Sequence, residues 1–273
     1  MAIYVYQIYY DENTRKIIDP AFLPLDNSKS ERPDWYEYWP VRSVLLNNSF
    51  DDSDYLGFVS PRFLEKTGYT GDAVKVLVER SGAEVVAFSP EFVLIAARQS
   101  SFIQGEAFHS GLLRASEEVF EVIGLGLDLK NLWQDQTRTI YANYFVARYS
   151  FWKKWLGFSE KIFEICEGDE TPLSAKLTSF TRHRDKVDHY QMKVFIMERL
   201  VSALLEKLNV NAASKFNFPH QRKKYDDERK RLGRKPVDFG RFLLLDALKG
   251  QYIKTGQVPY LNLFRHYLSN EVK

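Results

Sequence analysis

The chain has one cysteine, Cys166, in 273 residues. A single thiol excludes an intrachain disulfide and any zinc site built from cysteines, and it fits a reducing compartment. No stretch approaches the roughly 20 apolar residues that span a bilayer. The opening MAIYVYQIYYDENTRK lacks the basic-then-apolar order of a secretory signal. The expectation is a soluble cytoplasmic protein, at most peripheral to a membrane. An excess of one charge is also missing: 38 Lys and Arg face 36 Asp and Glu, for a formal net charge of +2. The total therefore demands no strongly charged partner. There is no P-loop, no G-x-G-x-x-G after the first apolar run, no H-E-x-x-H and no G-x-S-x-G. Those absences count against P-loop nucleotide hydrolysis, a Rossmann dehydrogenase, a zinc protease and an α/β-hydrolase. No internal repeat or low-complexity segment stands out.

What the sequence does have is aromatic residues: 16 Tyr, 20 Phe and 5 Trp. Most serve packing, and a few are available to line a cleft for a flat base or a sugar face. Residues 2–10 are β-branched and aromatic and read as a strand buried on both faces. A polar, proline-punctuated turn region follows over 11–33. Asp34 is placed to cap a helix over 35–47, kinked near Pro40. Further strands are expected at 55–60, ended by Pro61, at 84–88, and at 139–147 with Asn143 at its middle. Helices are expected at 70–81, 106–123, 151–167 and 190–208, the last from apolar residues at helical spacing. Residues 168–187 read as a polar loop or lid. The alternation predicts an α/β fold with a mostly parallel sheet flanked by helices. Composition shifts near 210, which divides the chain into a domain over 1–209 and a helical, basic C-terminal extension over 210–273.

The densest run of chemistry is 33–66, PDWYEYWPVRSVLLNNSFDDSDYLGFVSPRFLEK. It sets an acidic, aromatic helix, an acidic turn, a buried strand and Ser60-Pro61-Arg62 in close succession. Glu198 lies in an otherwise apolar helix beside Arg199, where burial would raise its pKa into the range of a general base or leave it in an ion pair. Glu106 and His109 are three apart, on one face of a helical turn, and are further acid–base candidates. The segment 183–189, HRDKVDH, carries metal-ligating residue types but no metal spacing, and reads as a charged mobile loop. The run 215–235 is basic but laced with Asp226, Asp227 and Glu228. It reads either as a solvated helix face or as a contact for anionic lipid or nucleic acid.

The order of the later segments, VVAFSPEF, QGEAFHSGLL, YANYFVARYSFWKKWLGFSEKIFEI and YQMKVFIMERLVSALL, resembles that of bacterial glycosyltransferases from capsule and lipopolysaccharide gene clusters. The matching residues are Glu37, Arg62, Asn143 and the pair Glu198-Arg199, and the resemblance spans about residues 1–208. It implies a GT-A-like nucleotide-sugar domain and transfer of a glycosyl group to a hydroxyl of a surface glycan, free or lipid-linked. On that resemblance Tyr6, Gln7, Glu37, Arg42, Ser60, Arg62 and Lys66 would meet the nucleotide-sugar donor. Asn143 and Arg199 would meet the acceptor, and Glu198, Glu106 or His109 would be the acid–base group. Many GT-A enzymes hold Mn²⁺ or Mg²⁺ with an Asp-x-Asp after a strand. Asp52-Ser53-Asp54 has that spacing but precedes its strand. Two mechanisms stay open: a metal on Asp52 and Asp54, or a metal-independent one in which Arg62 and Lys66 stabilise the leaving phosphate. The alternative is a non-catalytic binding or scaffold module whose basic C-terminal region contacts nucleic acid, an anionic membrane or a protein. The near-neutral total charge counts against nucleic acid.

Overall fold

The computed structural model describes residues 1–182, 189–234 and 238–269. The chain opens with β1 (Ile3–Tyr9), α1 (Glu12–Arg15), β2 (Leu23–Asp26), a 3-10 turn at Pro33–Trp35 and α2 (Tyr38–Asn47). Next come β3 (Tyr55–Val59), α3 (Phe63–Thr67), α4 (Gly71–Ser81), β4 (Val85–Ala87), α5 (Phe92–Ala97), α6 (Ser101–Glu106) and α7 (Leu112–Val122). They are followed by β5 (Phe145–Arg148), α8 (Tyr149–Glu167), α9 (Pro172–Thr178), β6 (Phe180–Arg182), β7 (His189–Gln191) and α10 (Met192–Lys207). The chain closes with β8 (Ala212–Ser214), α11 (Phe218–Arg231), α12 (Phe239–Thr255) and α13 (Val258–Ser269).

Six strands form one sheet in the order β2-β1-β3-β5-β4-β8. β1 runs parallel to β2 and β3, β4 runs parallel to β8, and β5 is antiparallel to both its neighbours. The fold is α/β, and its sheet is mixed and mostly parallel. Side chains alternate across it as a two-residue period requires. Leu56, Phe58, Val85, Ala87, Phe145 and Ala147 enter one apolar core, while Val5, Tyr55, Val59, Val86 and Val146 enter another on the opposite face. The first core is closed by α2, α7, α8 and α10 and the second by α3 and α4. Gly57 lets β3 and β5 approach closely: a Cβ there would lie 2.7 Å from Val146 Cγ2. A third core joins α5 to α12 and α13.

The strand at 55–60 and the helices at 70–81, 151–167 and 190–208 stand where their patterns put them. Other segments differ for physical reasons. The turn region 11–33 contributes the edge strand β2. Asp34 does not cap α2, because its carboxylate is held by Arg32 and Lys193. Pro40 lies in the first turn of α2, where its missing N–H breaks no bond, so the helix continues through it. The strand expected over 139–147 shrinks to Phe145–Arg148, since Ala142 and Asn143 take left-handed backbone angles. The helix over 106–123 breaks at Gly111 (φ 89°). Glu106 accepts the amides of Gly111 and Leu113 at 2.9 and 2.7 Å and so caps the start of α7. The region 168–187 contains α9 and β6. Residues 212–214 form β8, which pairs with β4 in the central sheet.

Candidate functional site

The connection after β1 leads to β2 on one side of the sheet, and the connection after the adjacent β3 leads to β4 on the other. In an open α/β sheet such a reversal opens a crevice at the carboxyl ends of the strands. A cavity of about 530 Å³ lies there, within the size range of small-molecule sites. Ile8 and Tyr10 reach it from the end of β1, and Phe58 and Ser60 from the end of β3. Ala142 through Phe145 reach it from the turn before β5. Trp35, Phe58, Phe145, Trp152 and Trp155 are deeply buried and form an aromatic wall, while Tyr36 stands exposed. The polar lining includes Tyr10, Asn27, Ser30, Glu37, Lys66, Asn143, Tyr190 and Glu198.

Three features mark this cavity. The first is its charge. Glu37 is half-buried, with its carboxyl deep in the crevice, and it accepts a bond from the Tyr10 hydroxyl at 2.9 Å. Burial pushes that carboxyl above its ordinary range; Tyr10 and Lys66 oppose the shift, and Glu198 adds to it. The Lys66 ammonium lies 5.4 Å from the Tyr144 ring centroid, and the Tyr144 hydroxyl bonds Ser60 Oγ. The second is unpartnered polarity. Ser30 Oγ, Asn143 Oδ1 and Trp155 Nε1, of lining residues, are three of the seven buried side-chain polar atoms that find no partner among the described residues. The indole N–H groups of Trp35 and Trp152 in the same wall are satisfied, by Glu167 and by the Leu56 carbonyl. Most buried polar atoms in proteins are paired. The third is strain. Among the described residues, Tyr36, Ala142, Asn143 and Asn209 are the non-glycine residues with positive φ, and the first three line the cavity. Such conformations gather at ligand sites, where surrounding structure enforces them.

A polar brace anchored on a buried lysine holds the lip. Lys193, 2% exposed, bonds Asp34 at 2.7 Å and lies 4.0 Å from the Trp35 ring centroid. Arg32 joins Asp34 to Glu167. Arg32, Asp34, Glu167 and Lys193 thus pin the 3-10 turn, and with it Tyr36 and Glu37, against α8 and α10.

Of the residues singled out in the sequence, Glu37, Ser60, Lys66, Asn143 and Glu198 line the cavity. The others do not. Tyr6 stacks on Phe58. Gln7 is a buried clamp, accepting the Asp19 amide and donating to the Ser60 and Pro61 carbonyls. Arg42 makes a bidentate pair with Glu160, both contacts at 2.7 Å, between α2 and α8. Arg62 is exposed and paired with Glu65. Glu106 is the cap described above, and His109 is buried and stacked on Phe195. Arg199 is buried and donates to the Ser101 and Phe195 carbonyls, to Gln104 and, at 3.5 Å, to the Glu198 carboxylate beside it. The segment HRDKVDH lies outside the described residues over 183–188.

Asp52 and Asp54 stand at the opposite, amino end of β3. Asp52 pairs with Lys153 at 2.6 Å, and Asp54 accepts the amides of Ala2 and Asp51. With those oxygens engaged, the pair does not fit a divalent cation serving the cavity. Among the described residues no group of three His, Cys, Asp or Glu is arranged to hold a metal.

Sequence reasoning missed Tyr10, Asn27, Ser30, Tyr36 and Tyr190. Their signal was position: Tyr10 directly follows a parallel strand, where loops carry ligand contacts.

No protein-family model matches the chain, and no curated protein does. A solved structure of WbbM, a bifunctional glycosyltransferase in its apo form, is similar at 13% identity with a TM-score of 0.43. The match covers 79% of this chain and 44% of that one.

Proposed function

We propose that the chain is a glycosyltransferase that moves a sugar from a nucleotide-activated donor to a hydroxyl of a glycan acceptor, free or lipid-linked. The observation that carries this reading is the cavity at the sheet's reversal, where an aromatic wall, two carboxyl groups and an ammonium line one space. Rings such as Tyr36 and Tyr190, whose centroids are 5.3 Å apart, offer faces to a base or a sugar. Lys66 supplies positive charge to the departing diphosphate. Glu198 takes the proton of the acceptor hydroxyl as that oxygen bonds the anomeric carbon and the carbon–diphosphate bond breaks. Asn143 orients the acceptor with its side-chain amide, and Glu37 meets the donor.

The test is a thermal-shift screen of the full chain against UDP-, GDP-, CMP- and dTDP-sugars, with and without Mn²⁺. A ligand that binds only the native state stabilises it by about 2.7 kcal/mol at a hundred times its Kd. One nucleotide is expected to raise the melting midpoint, and the Mn²⁺ arm reads whether a cation assists. A folded sample that responds to none of them contradicts the reading and favours a scaffold.

A further inference from the structure

The small net charge hides a partition. Residues 210–273 contain 14 of the 38 Lys and Arg but only 6 of the 36 Asp and Glu, so they carry +8 and residues 1–209 carry −6. The basic pole is also where apolar side chains meet solvent. Seventeen large hydrophobic side chains are exposed among the described residues. Six of them, Leu243, Leu244, Ile253, Val258, Leu263 and Tyr267, lie on α12 and α13. These helices already bury Phe242, Leu245, Leu248 and Phe264 against α5. Both helices therefore carry apolar side chains in solvent beyond those the fold buries, most closely grouped at the adjacent Leu243 and Leu244. Exposed cations lie on the same run of helices, Arg222, Lys223, Lys230 and Arg231 on α11, Lys254 on α12 and Arg265 on α13, outnumbering the exposed Asp227 and Glu228 of α11.

We propose that the basic, leucine-bearing surface of α11 to α13 docks on an anionic lipid bilayer. Exposed aliphatic side chains and cations together make the two-part signal that stable peripheral binding needs. Each Lys or Arg near an anionic leaflet adds to the attraction. Nucleic acid would engage the cations but has no use for exposed leucines. A second copy docked by the same surface would bring +8 against +8. Among the described residues no helix is long and apolar enough to cross a membrane, so contact here is by apposition. This inference does not depend on the catalytic reading.

The experiment is flotation of the full chain with phosphatidylcholine vesicles and with vesicles containing phosphatidylcholine and phosphatidylglycerol at about 7:3. Binding is expected to the mixed vesicles, with at least a tenfold preference over the neutral ones, and it should weaken as salt screens the charges. The double variant Lys230→Glu/Arg231→Glu and the double variant Leu243→Ser/Leu244→Ser are each expected to reduce that binding at least tenfold while keeping the wild-type melting midpoint. Absence of binding to the mixed vesicles overturns the proposal, as does equal binding to both compositions or binding that neither variant alters. Tight nucleic-acid binding that the charge variant abolishes and the leucine variant leaves intact, in a protein that ignores vesicles, overturns it in favour of a different partner.

Discussion

The two ends of β3 hold similar residue types in opposite conditions. At the amino end Asp52 and Asp54 are acidic and closely spaced, yet their oxygens are engaged by Lys153, Ala2 and Asp51. At the carboxyl end Glu37, Glu198, Lys66 and Asn143 surround a cavity, with a desolvated carboxyl, unpartnered polar atoms and left-handed backbone. Spacing in sequence points to the amino end, whereas the balance of donors and acceptors points to the carboxyl end. A candidate site is marked less by which polar residues are present than by which still have bonding capacity to offer.

The largest expected contrast is in turnover. Glu198→Gln should lower kcat by about a hundredfold or more, as loss of a general base does, with little change in melting midpoint. Asp52→Asn should leave kcat within about twofold, since it removes one exposed ion pair. Steady-state kinetics of both variants, beside their melting curves, decides whether the chemistry belongs to the carboxyl end.

A smaller effect concerns pH. The Glu37 carboxyl holds its proton more tightly in the folded chain than in the unfolded one. Its contribution to stability is therefore complete below the ordinary value of 4.5 and is lost as pH rises through the raised folded value. Glu37→Gln lacks that loss, so the variant should gain stability relative to wild type as pH climbs from about 4.5 toward neutrality. Denaturant titrations at several pH values measure the difference; a gap that stays constant with pH would mean that the crevice does not desolvate this group.

The smallest effect tests strain. Ala142 sits at φ 60°, where an L-residue costs about 1–2 kcal/mol relative to glycine. Ala142→Gly should stabilise the protein by about 1 kcal/mol without raising turnover. Destabilisation would mean that the turn before β5 stores no strain.

Much of the fold was legible because burial imposes periods. β3 alternates between two cores, and α10 repeats its apolar residues at helical spacing, so both could be read locally. β2 and β8 could not be read this way. Leu-Pro-Leu-Asp and Ala-Ala-Ser lack β-branched residues and become strands only because β1 and β4 offer them edges. The candidate site was half legible for the same reason. A charged residue looks alike in sequence whether it is committed or available, and the partner that commits it is remote. Arg42 finds Glu160 118 residues away, and Arg199 finds the Ser101 carbonyl 98 residues away. Glu106 caps α7 across the break that Gly111 introduces, a role that its place on a helical turn does not announce.

The most direct test of the central claim is calorimetric titration of the responding nucleotide sugar into wild type, Lys66→Ala and the double variant Asp52→Asn/Asp54→Asn. The account predicts that Lys66→Ala weakens binding by about tenfold or more, as loss of a charge-assisted contact of 1.5–3 kcal/mol would, and that the double variant, once folded, binds as wild type does. Wild-type affinity in Lys66→Ala together with lost binding in the double variant would contradict it and move the site to the other end of the sheet.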